Sequence, residues 1–148
     1  MSDATGPWYD DVVMPALLDA ARRGYGRSMR AALEATGCSD VPPRGMRLIG
    51  GIARNGPAGP DVARQLGVGE VAATKLVSVM VERGYIAPGP DRDTYVLTDR
   101  GRQAAATAAE ASDAFEDRVR TEVGDVALST ARAVLGVMVE LTDPHFTE

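Results

Sequence analysis

The chain has 148 residues, of which 45% are hydrophobic and 5% aromatic, and its formal net charge is −5. This length is sufficient for one domain with a real core, since such a chain buries about 70% of its unfolded surface. Composition excludes a membrane span, which needs about 18 consecutive apolar residues, and the single cysteine excludes an internal disulfide. The N-terminus lacks a basic segment followed by an apolar one, so we expect a cytoplasmic protein.

Charge is distributed unevenly along the chain. Residues 42–102 carry nine basic and six acidic side chains, whereas residues 1–41 carry four and six, and residues 103–148 carry three and nine. The acidic total argues against indiscriminate nucleic-acid binding. A basic middle between acidic flanks is nevertheless typical of a DNA-facing module between two arms with other roles.

The first part of the chain is predicted to be helical. Ala and Leu recur at three- and four-residue spacing over residues 8–35, with Pro15 in the first turn or at a kink. Gly37 then stops this helix. A second helix is predicted from Pro42-Pro43 to Asn55-Gly56. Its apolar face comprises Met46, Ile49, Ile52 and Ala53.

The centre of the basic segment has the pattern of a helix-turn-helix. Residues 60–66 predict a short helix, Gly67 permits a turn, and residues 70–83 predict a second helix. The face of this second helix that is predicted to be buried comprises Ala73, Leu76, Val77 and Met80. The opposite face comprises Val71, Thr74, Lys75, Ser78 and Glu82. Such a face is either a solvated surface or the part that enters the major groove of DNA.

A hairpin and further helices are predicted after the helix pair. Residues 85–87 and 94–97 predict two short strands around a turn at 88–91, which is the position of a wing. Thr98 is predicted to cap a helix that runs through residues 103–111 towards Arg118. A break near Gly124-Asp125 precedes a last helix over about 126–141. These helices are apolar on more than one side, which favours packing against a second copy.

The order of these elements resembles the MarR family of bacterial regulators. The segments that carry the resemblance are VARQLGV, TKLVSVMVERGYI and LTDRGR, in that order and at that spacing. The resemblance covers most of the chain. It implies a homodimer whose terminal helices interlock, two winged modules that read a palindromic operator, and often a small-molecule pocket where the two regions meet.

The sequence departs from the family pattern at the start of the second helix. The family usually has Ser or Thr where this chain has Gly69, a basic or polar residue at Glu70, and a hydroxyl at Ala72. The hairpin is also short and lacks paired arginines at its tip. Lost donors and an added acid reduce the phosphate contacts that supply much of DNA affinity.

Two sets of site residues are predicted. The DNA-binding set is Thr74, Lys75, Ser78, Arg92 and Arg64, because hydroxyl and cationic side chains contact phosphates and base edges. The ligand-binding set is Trp8, Tyr9, Tyr25, Met46 and Arg47, which would suit a small aromatic or carboxylate ligand. Each member of the ligand-binding set could instead belong to the dimer core or the surface.

The predicted fold is mostly α, a winged helix-turn-helix with a small β-hairpin wing and N- and C-terminal dimerisation helices. We interpret residues 1–148 as one domain, with 1–41 and 103–148 forming the dimerisation helices and 42–102 the winged helix-turn-helix. The predicted function is a ligand-responsive, DNA-binding transcription regulator that acts as a homodimer on a palindromic operator. The alternative is the same fold with weakened DNA binding, used for a small molecule or a partner, or recruited as an enzyme.

Catalysis has little support in the sequence. There is no phosphate-cradling glycine loop and no metal-ligand spacing. The one histidine, His145, excludes a multi-histidine metal cluster and argues against a Ser-His-Asp triad. Cys38 could be a redox sensor or an inert small residue, and its neighbours in sequence offer no cation that would activate a thiol. No cofactor, metal or catalytic residue is therefore predicted.

Overall fold

The computed structural model describes residues 6–142, apart from the side chain of Ala63, so His145 lies outside the described part of the chain. The described residues fall into two compact units that divide between Ser112 and Asp113. The helices are α1 (Met14–Ala35), α2 (Gly45–Asn55), α3 (Val62–Leu66), α4 (Glu70–Glu82) and α5 (Asp99–Thr142), and the strands are β1 (Ile86–Pro88) and β2 (Tyr95–Leu97). None of the helices within residues 6–142 has the length and apolar character needed to cross a bilayer.

The first helix begins later than the sequence predicts. Residues 8–11 form a short 3-10 helix, Val12 is extended, and α1 starts at Met14 with Pro15 in its first turn. Proline has no N–H, and its ring collides with the carbonyl four residues earlier. A helix running from residue 8 would have Asp11 at that position, so it has to stop and restart.

The second helix also begins later, at Gly45 instead of Pro42. Arg44 has a left-handed backbone conformation with φ 66°, and the amide of Gly45 donates to the carbonyl of Pro42 over 2.8 Å. The two prolines therefore belong to a tight turn that leads into α2. Ala53, predicted on the buried face, is exposed, whereas Leu48, Ile49 and Ile52 are buried.

The helix-turn-helix and the hairpin are confirmed. Helix α3 turns through Gly67 into α4, and β1 pairs with β2 in antiparallel register, with Ile86 opposite Leu97. Ala58 and Tyr95 exchange two backbone hydrogen bonds of 2.9 Å, which attach the hairpin to the loop before α3. The hairpin is thus fixed at its base on two sides.

The core of the first unit lies beneath α4. Its fully buried large side chains are Tyr85, Ile49, Met80, Ile86 and Cys38. Helix α5 contributes Ala104 and Ala108, whose small side chains allow it to pack closely. The inward face predicted for α4 is confirmed, since Ala73, Val77 and Met80 are buried.

Thr98 caps α5, as predicted. Its hydroxyl oxygen accepts from the amide of Gly101 over 3.1 Å, and the same hydroxyl donates to the carbonyl of Gly84 over 2.5 Å. Thr98 therefore satisfies one free amide of the helix start and also ties that start to the end of α4.

The predicted break at Gly124 is confirmed within the second unit. Gly124 has φ 81° and ψ 166°, which interrupts the helical backbone of α5. Arg132 donates to the carboxylate of Glu116 over 2.5 Å. Sixteen residues of straight helix would separate these residues by about 24 Å, so the chain turns back at Gly124.

Gly101 is expected to be intolerant of a side chain. A Cβ there would overlap the carbonyl oxygen of Tyr85 and lie 3.2 Å from Leu97. Because the nearest atom belongs to the backbone, Gly101→Ala should lower the free energy of unfolding by about 1–3 kcal/mol, measured by urea denaturation. The matched control is Gly50→Ala in α2, where a Cβ meets nothing within 4 Å and a gain of up to about 1 kcal/mol is expected. Equal effects of the two variants would contradict this packing.

Candidate DNA-facing surface and ligand cavity

Helix α4 presents an exposed face opposite the core. Val71, Lys75 and Ser78 are all exposed and lie within about 60° of arc at 100° per residue. Thr74 flanks this row, and its carbonyl accepts from the hydroxyl of Ser78 over 3.0 Å. The face therefore offers one apolar side chain on the first turn, followed by a cation and hydroxyl groups.

Two exposed arginines flank this face in sequence. Arg64 on α3 is 83% exposed, and its guanidinium lies 3.1 Å from the carboxylate of Asp61. Hydrogen bonds from Arg64 and Gln65 lower the pKa of Asp61. Arg92, between the two strands, is 96% exposed and 3.8 Å from Asp93. Exposed ion pairs of this kind contribute little to the stability of the fold, so both guanidinium groups are available to an anionic partner.

The start of α4 is chemically unusual for a DNA-binding helix. Its N-cap residue, Gly69, supplies no side-chain hydrogen bond, and the exposed Glu70 occupies the first turn. A carboxylate there interacts favourably with the helix dipole but repels a phosphate. Glu70 and Asp93 also line one shallow depression beside Thr74, which adds negative potential at this edge of the face.

A cavity of about 450 Å³ lies between α1 and the segment that leads into α2. Its apolar wall is formed by Met29, Leu33, Val41 and Met46, and its cationic wall by Arg22, Arg30, Arg44 and Arg47. Among the described residues, none with a carboxylate lines the cavity. An apolar wall next to several guanidinium groups suits a ligand with an apolar body and an anionic end.

The four arginines differ in how much of their hydrogen-bonding capacity is used. Arg22 pairs with Asp19 at 2.9 Å, and Arg47 donates to the carbonyl of Leu66 over 3.1 Å. The guanidinium groups of Arg30 and Arg44 make no hydrogen bond or ion pair with any other described residue. Arg30 is therefore the best placed member of α1 to receive a ligand anion.

The predicted ligand residues are only partly brought together. Met46 and Arg47 line the cavity. Trp8 and Tyr9 are exposed on the 3-10 helix, where their rings meet edge to face at 5.7 Å, and Tyr25 is half-buried on α1. None of these three aromatic residues lines the cavity. Their assignment to a ligand site remains a prediction.

The ligand-binding set predicted from the sequence does not include the α1 wall. The signal was present, because Arg22, Gly26 and Arg30 recur every four residues, and Met29 and Leu33 share the same side of the helix. The other wall, Cys38–Pro43, could not be found by periodicity because it is irregular. Cys38 is 2% exposed and packs in the core.

One side-chain cluster connects the cavity wall to the winged module. The hydroxyl of Tyr85 donates to the carboxylate of Asp40 over 2.5 Å, and Arg100 donates to the same carboxylate over 2.9 Å. Arg100 also lies 4.4 Å from the centroid of the Tyr85 ring and donates to the carbonyl of Arg83 over 2.6 Å. We call Asp40, Tyr85, Arg83 and Arg100 the hinge cluster. It ties the segment beside the cavity to the end of α4 and the start of α5.

Ionisation in the hinge cluster is set by burial and pairing. The hydrogen bond from Tyr85 and the nearby Arg100 hold the pKa of Asp40 below its usual range. Burial and the hydrogen bond to Asp40 raise the pKa of Tyr85, so its phenol stays protonated as a donor. The cluster therefore keeps one carboxylate and two guanidinium cations beside a neutral hydroxyl at neutral pH.

Comparisons with known proteins identify the fold. No protein-family model and no curated protein matches the sequence. The chain is similar to the structure of a MarR family protein from Bacillus stearothermophilus, at 16% identity and a TM-score of 0.71, covering 88% of this chain and 94% of that one. It is also similar to a MarR family transcriptional regulator from Silicibacter pomeroyi, at 21% identity and a TM-score of 0.67, covering 94% of this chain and 95% of that one.

A third similar structure is NadR in complex with 4-hydroxyphenylacetate, at 18% identity and a TM-score of 0.64, covering 95% of this chain and 98% of that one. These likenesses show that the chain has the winged-helix fold of MarR-type transcription regulators. The resemblance expected from the sequence is thus confirmed at the level of the fold.

Asp40 is expected to make stability depend on acid pH. Because its folded-state pKa lies below the unfolded value, its contribution is complete above about pH 4 and is lost as pH falls through the folded pKa. Asp40→Asn should lower the free energy of unfolding by about 1 kcal/mol at pH 7. The difference in this free energy between variant and wild type should decrease towards pH 3. Urea unfolding at several pH values measures this.

The matched control is Asp113→Asn, because the carboxylate of the exposed Asp113 has no hydrogen bond or ion pair with another described residue. It should follow the wild-type pH profile. A gap for Asp40→Asn that persists unchanged at pH 3 would exclude the ionised carboxylate as its cause.

Proposed function

We propose that this protein is a ligand-responsive transcription regulator that binds double-stranded DNA as a homodimer on a palindromic operator. The observation that carries the proposal is the exposed face of α4, the second helix of the helix-turn-helix. Lys75, Thr74 and Ser78 are exposed on this face. In that position a helix enters the major groove. Two modules of one dimer would contact half-sites about 10 base pairs apart.

Electrostatics supports DNA as the partner of this face. Lys75, Arg64 and Arg92 are exposed and lie in the only basic segment of the sequence, residues 42–102. Cations of this kind displace counterions from phosphates and supply much of the affinity. Glu70 opposes this attraction, so we expect binding that depends on base contacts more than on charge.

Dimerisation is supported by large apolar side chains that are exposed in each unit of the single chain. In the first unit Trp8 is 74% and Val13 70% exposed, and in the second Val126 is 81% and Leu141 80% exposed. Several large apolar side chains exposed to water are unfavourable, and such surfaces mark an interface with another molecule. A second copy of the chain is the simplest partner, since most soluble oligomers are symmetric homo-oligomers.

The cavity supports an aromatic carboxylate as the ligand class. Its apolar wall would cover a ring, while Arg30 or Arg44 would pair with a carboxylate. NadR, which has the same fold, is described in complex with 4-hydroxyphenylacetate. That molecule combines a ring and a carboxylate, as this cavity requires.

The hinge cluster supports a route from ligand to DNA. Asp40 lies between Ser39 and Val41, which line the cavity, and it also holds Tyr85 and Arg100. A ligand that displaces this segment would alter the contacts that fix the end of α4 and the base of the wing. A ligand shifts the equilibrium only by its different affinity for the two arrangements.

DNA binding is expected to depend on Lys75. Fluorescence anisotropy over a salt series, with duplex from upstream of the protein's own coding region, should show saturable, salt-sensitive binding that an unrelated duplex lacks. Lys75→Ala should weaken binding and reduce the slope of log K against log salt by about 0.9, because one phosphate contact is lost.

The matched control for this experiment is Arg118→Ala, which removes one exposed positive charge from the second unit and should leave the slope unchanged. Equal slopes in both variants would remove Lys75 from the DNA contacts. Absence of binding at low salt would contradict the proposed function and favour the alternative, a ligand-binding protein whose Glu70 and capless α4 have disabled the module.

Ligand binding is expected to depend on Arg30. At 100 times its dissociation constant, an aromatic carboxylate such as 4-hydroxyphenylacetate should raise the melting temperature of the wild type by about 5–10 °C. Arg30→Gln should lose most of this shift, whereas Arg27→Gln should keep it, because Arg27 lies on the same helix but does not line the cavity. No shift in the wild type with any ring-bearing carboxylate would contradict the ligand class.

A further inference from the structure

We infer that Val71 is a specificity-determining residue that reads the 5-methyl group of one thymine in the major groove of each half-site. The inference rests on the proposed function, since it requires α4 to enter DNA. It goes beyond that function by naming the base that one side chain recognises. It concerns a residue that sequence reasoning placed on the outer face without a role.

The observation that carries the inference is the exposure of Val71. Its 86% exposure is the highest among the exposed large hydrophobic side chains of the described residues. Within the basic segment 42–102, the other described side chain of this kind is Val81, at 37%. The remaining ones lie before residue 19 or after residue 122, on the surfaces to which the proposed dimer gives a partner.

Folding does not explain a valine at this position. Val71 belongs neither to the core cluster nor to the hydrophobic residues packed against it. Valine is also a poorer helix former than alanine, which the chain uses at the next two positions. An exposed β-branched side chain on the first turn therefore contributes to neither packing nor helix stability, and a contact outside the chain would account for it.

Position on the helix identifies DNA as that contact. Val71 lies on the first turn of α4, one turn before Lys75 and on the same side. The N-terminal residues of a recognition helix approach the base edges most closely. The neighbours Gly69 and Ala72 are small, and Glu70 lies about 100° away around the axis, so the valine methyl groups are not screened from a groove.

The chemistry of the groove identifies the base. Thymine is the base that shows a methyl group at its major-groove edge, and apolar side chains recognise that group by direct contact. Lys75 on the same side would reach a phosphate or a guanine. A valine followed one turn later by a lysine therefore favours a half-site in which one thymine is recognised through its methyl group.

The test uses operator DNA in which one methyl group at a time is missing. Binding sequences are first enriched from a random duplex library with the full chain. The enriched duplex is then synthesised with 2′-deoxyuridine replacing thymine at one position per half-site, which removes the methyl group and keeps the base pair. Affinities are measured by fluorescence anisotropy at one salt concentration for the wild type, Val71→Ala and Val81→Ala.

At one thymine position we expect the replacement to weaken wild-type binding about fourfold, the effect of removing one methyl group from an apolar contact. Val71→Ala should bind the intact duplex at least about fourfold more weakly and should be insensitive to the same replacement. Val81→Ala, on the same helix but about 15 Å further along its axis, should respond as the wild type does. Val71→Ala should keep the wild-type melting temperature, because Val71 is outside the core.

Two results would overturn the inference alone. One is an enriched duplex to which the wild type binds equally well with every thymine replaced in turn; the other is Val71→Ala that remains as sensitive to the replacement as the wild type. If no duplex is enriched and no salt-sensitive binding is found, the proposed function fails and the inference fails with it.

Discussion

A buried tyrosine hydroxyl places the strongest single constraint on the winged module. Tyr85 is 0% exposed, and a buried hydroxyl without a partner costs about 1–3 kcal/mol. Asp40 supplies the partner, which draws the segment after α1 onto the end of α4. Arg100 then neutralises Asp40 and stacks on the ring. The same atoms therefore satisfy a polar group in the core and set the position of the cavity wall relative to the helix that faces outward.

Much of the fold could be predicted from the sequence because it depends on local rules. The periodic apolar face of α4, the glycine at the α3–α4 turn and the cap at Thr98 all act within one or two helical turns, and the structure confirms each of them. The two late helix starts were missed because prolines impose constraints that periodicity does not show. Pro15 interrupts the helix before it, and Arg44 adopts a left-handed conformation that no residue type there would suggest.

The candidate site was harder to predict than the fold. Exposure of the outward face of α4 followed from its helical period, so the outward position of Thr74, Lys75 and Ser78 is confirmed, while their contact with DNA stays a prediction. The cavity depends on α1 packing near an irregular segment, and the four-residue spacing on α1 marks one wall without showing which segment forms the other. Trp8 and Tyr9 were predicted to bind a ligand because of their large aromatic side chains. In the single chain both lie on the surface. The cationic wall comes from arginines on α1, in the turn before α2 and on α2 itself, of which the predicted set contained only Arg47.

Arg47 provides a second link between the cavity and the helix-turn-helix. Its guanidinium lines the cavity and also donates to the carbonyl of Leu66, the last residue of α3. A helix leaves its final carbonyls without partners inside the helix, so this bond satisfies the end of the first helix of the helix-turn-helix. An anion that recruits Arg47 competes with that carbonyl for the same donors. By thermodynamic reciprocity, an anion that destabilises the end of α3 would weaken the proposed binding to DNA, and DNA would weaken binding of the anion by the same factor.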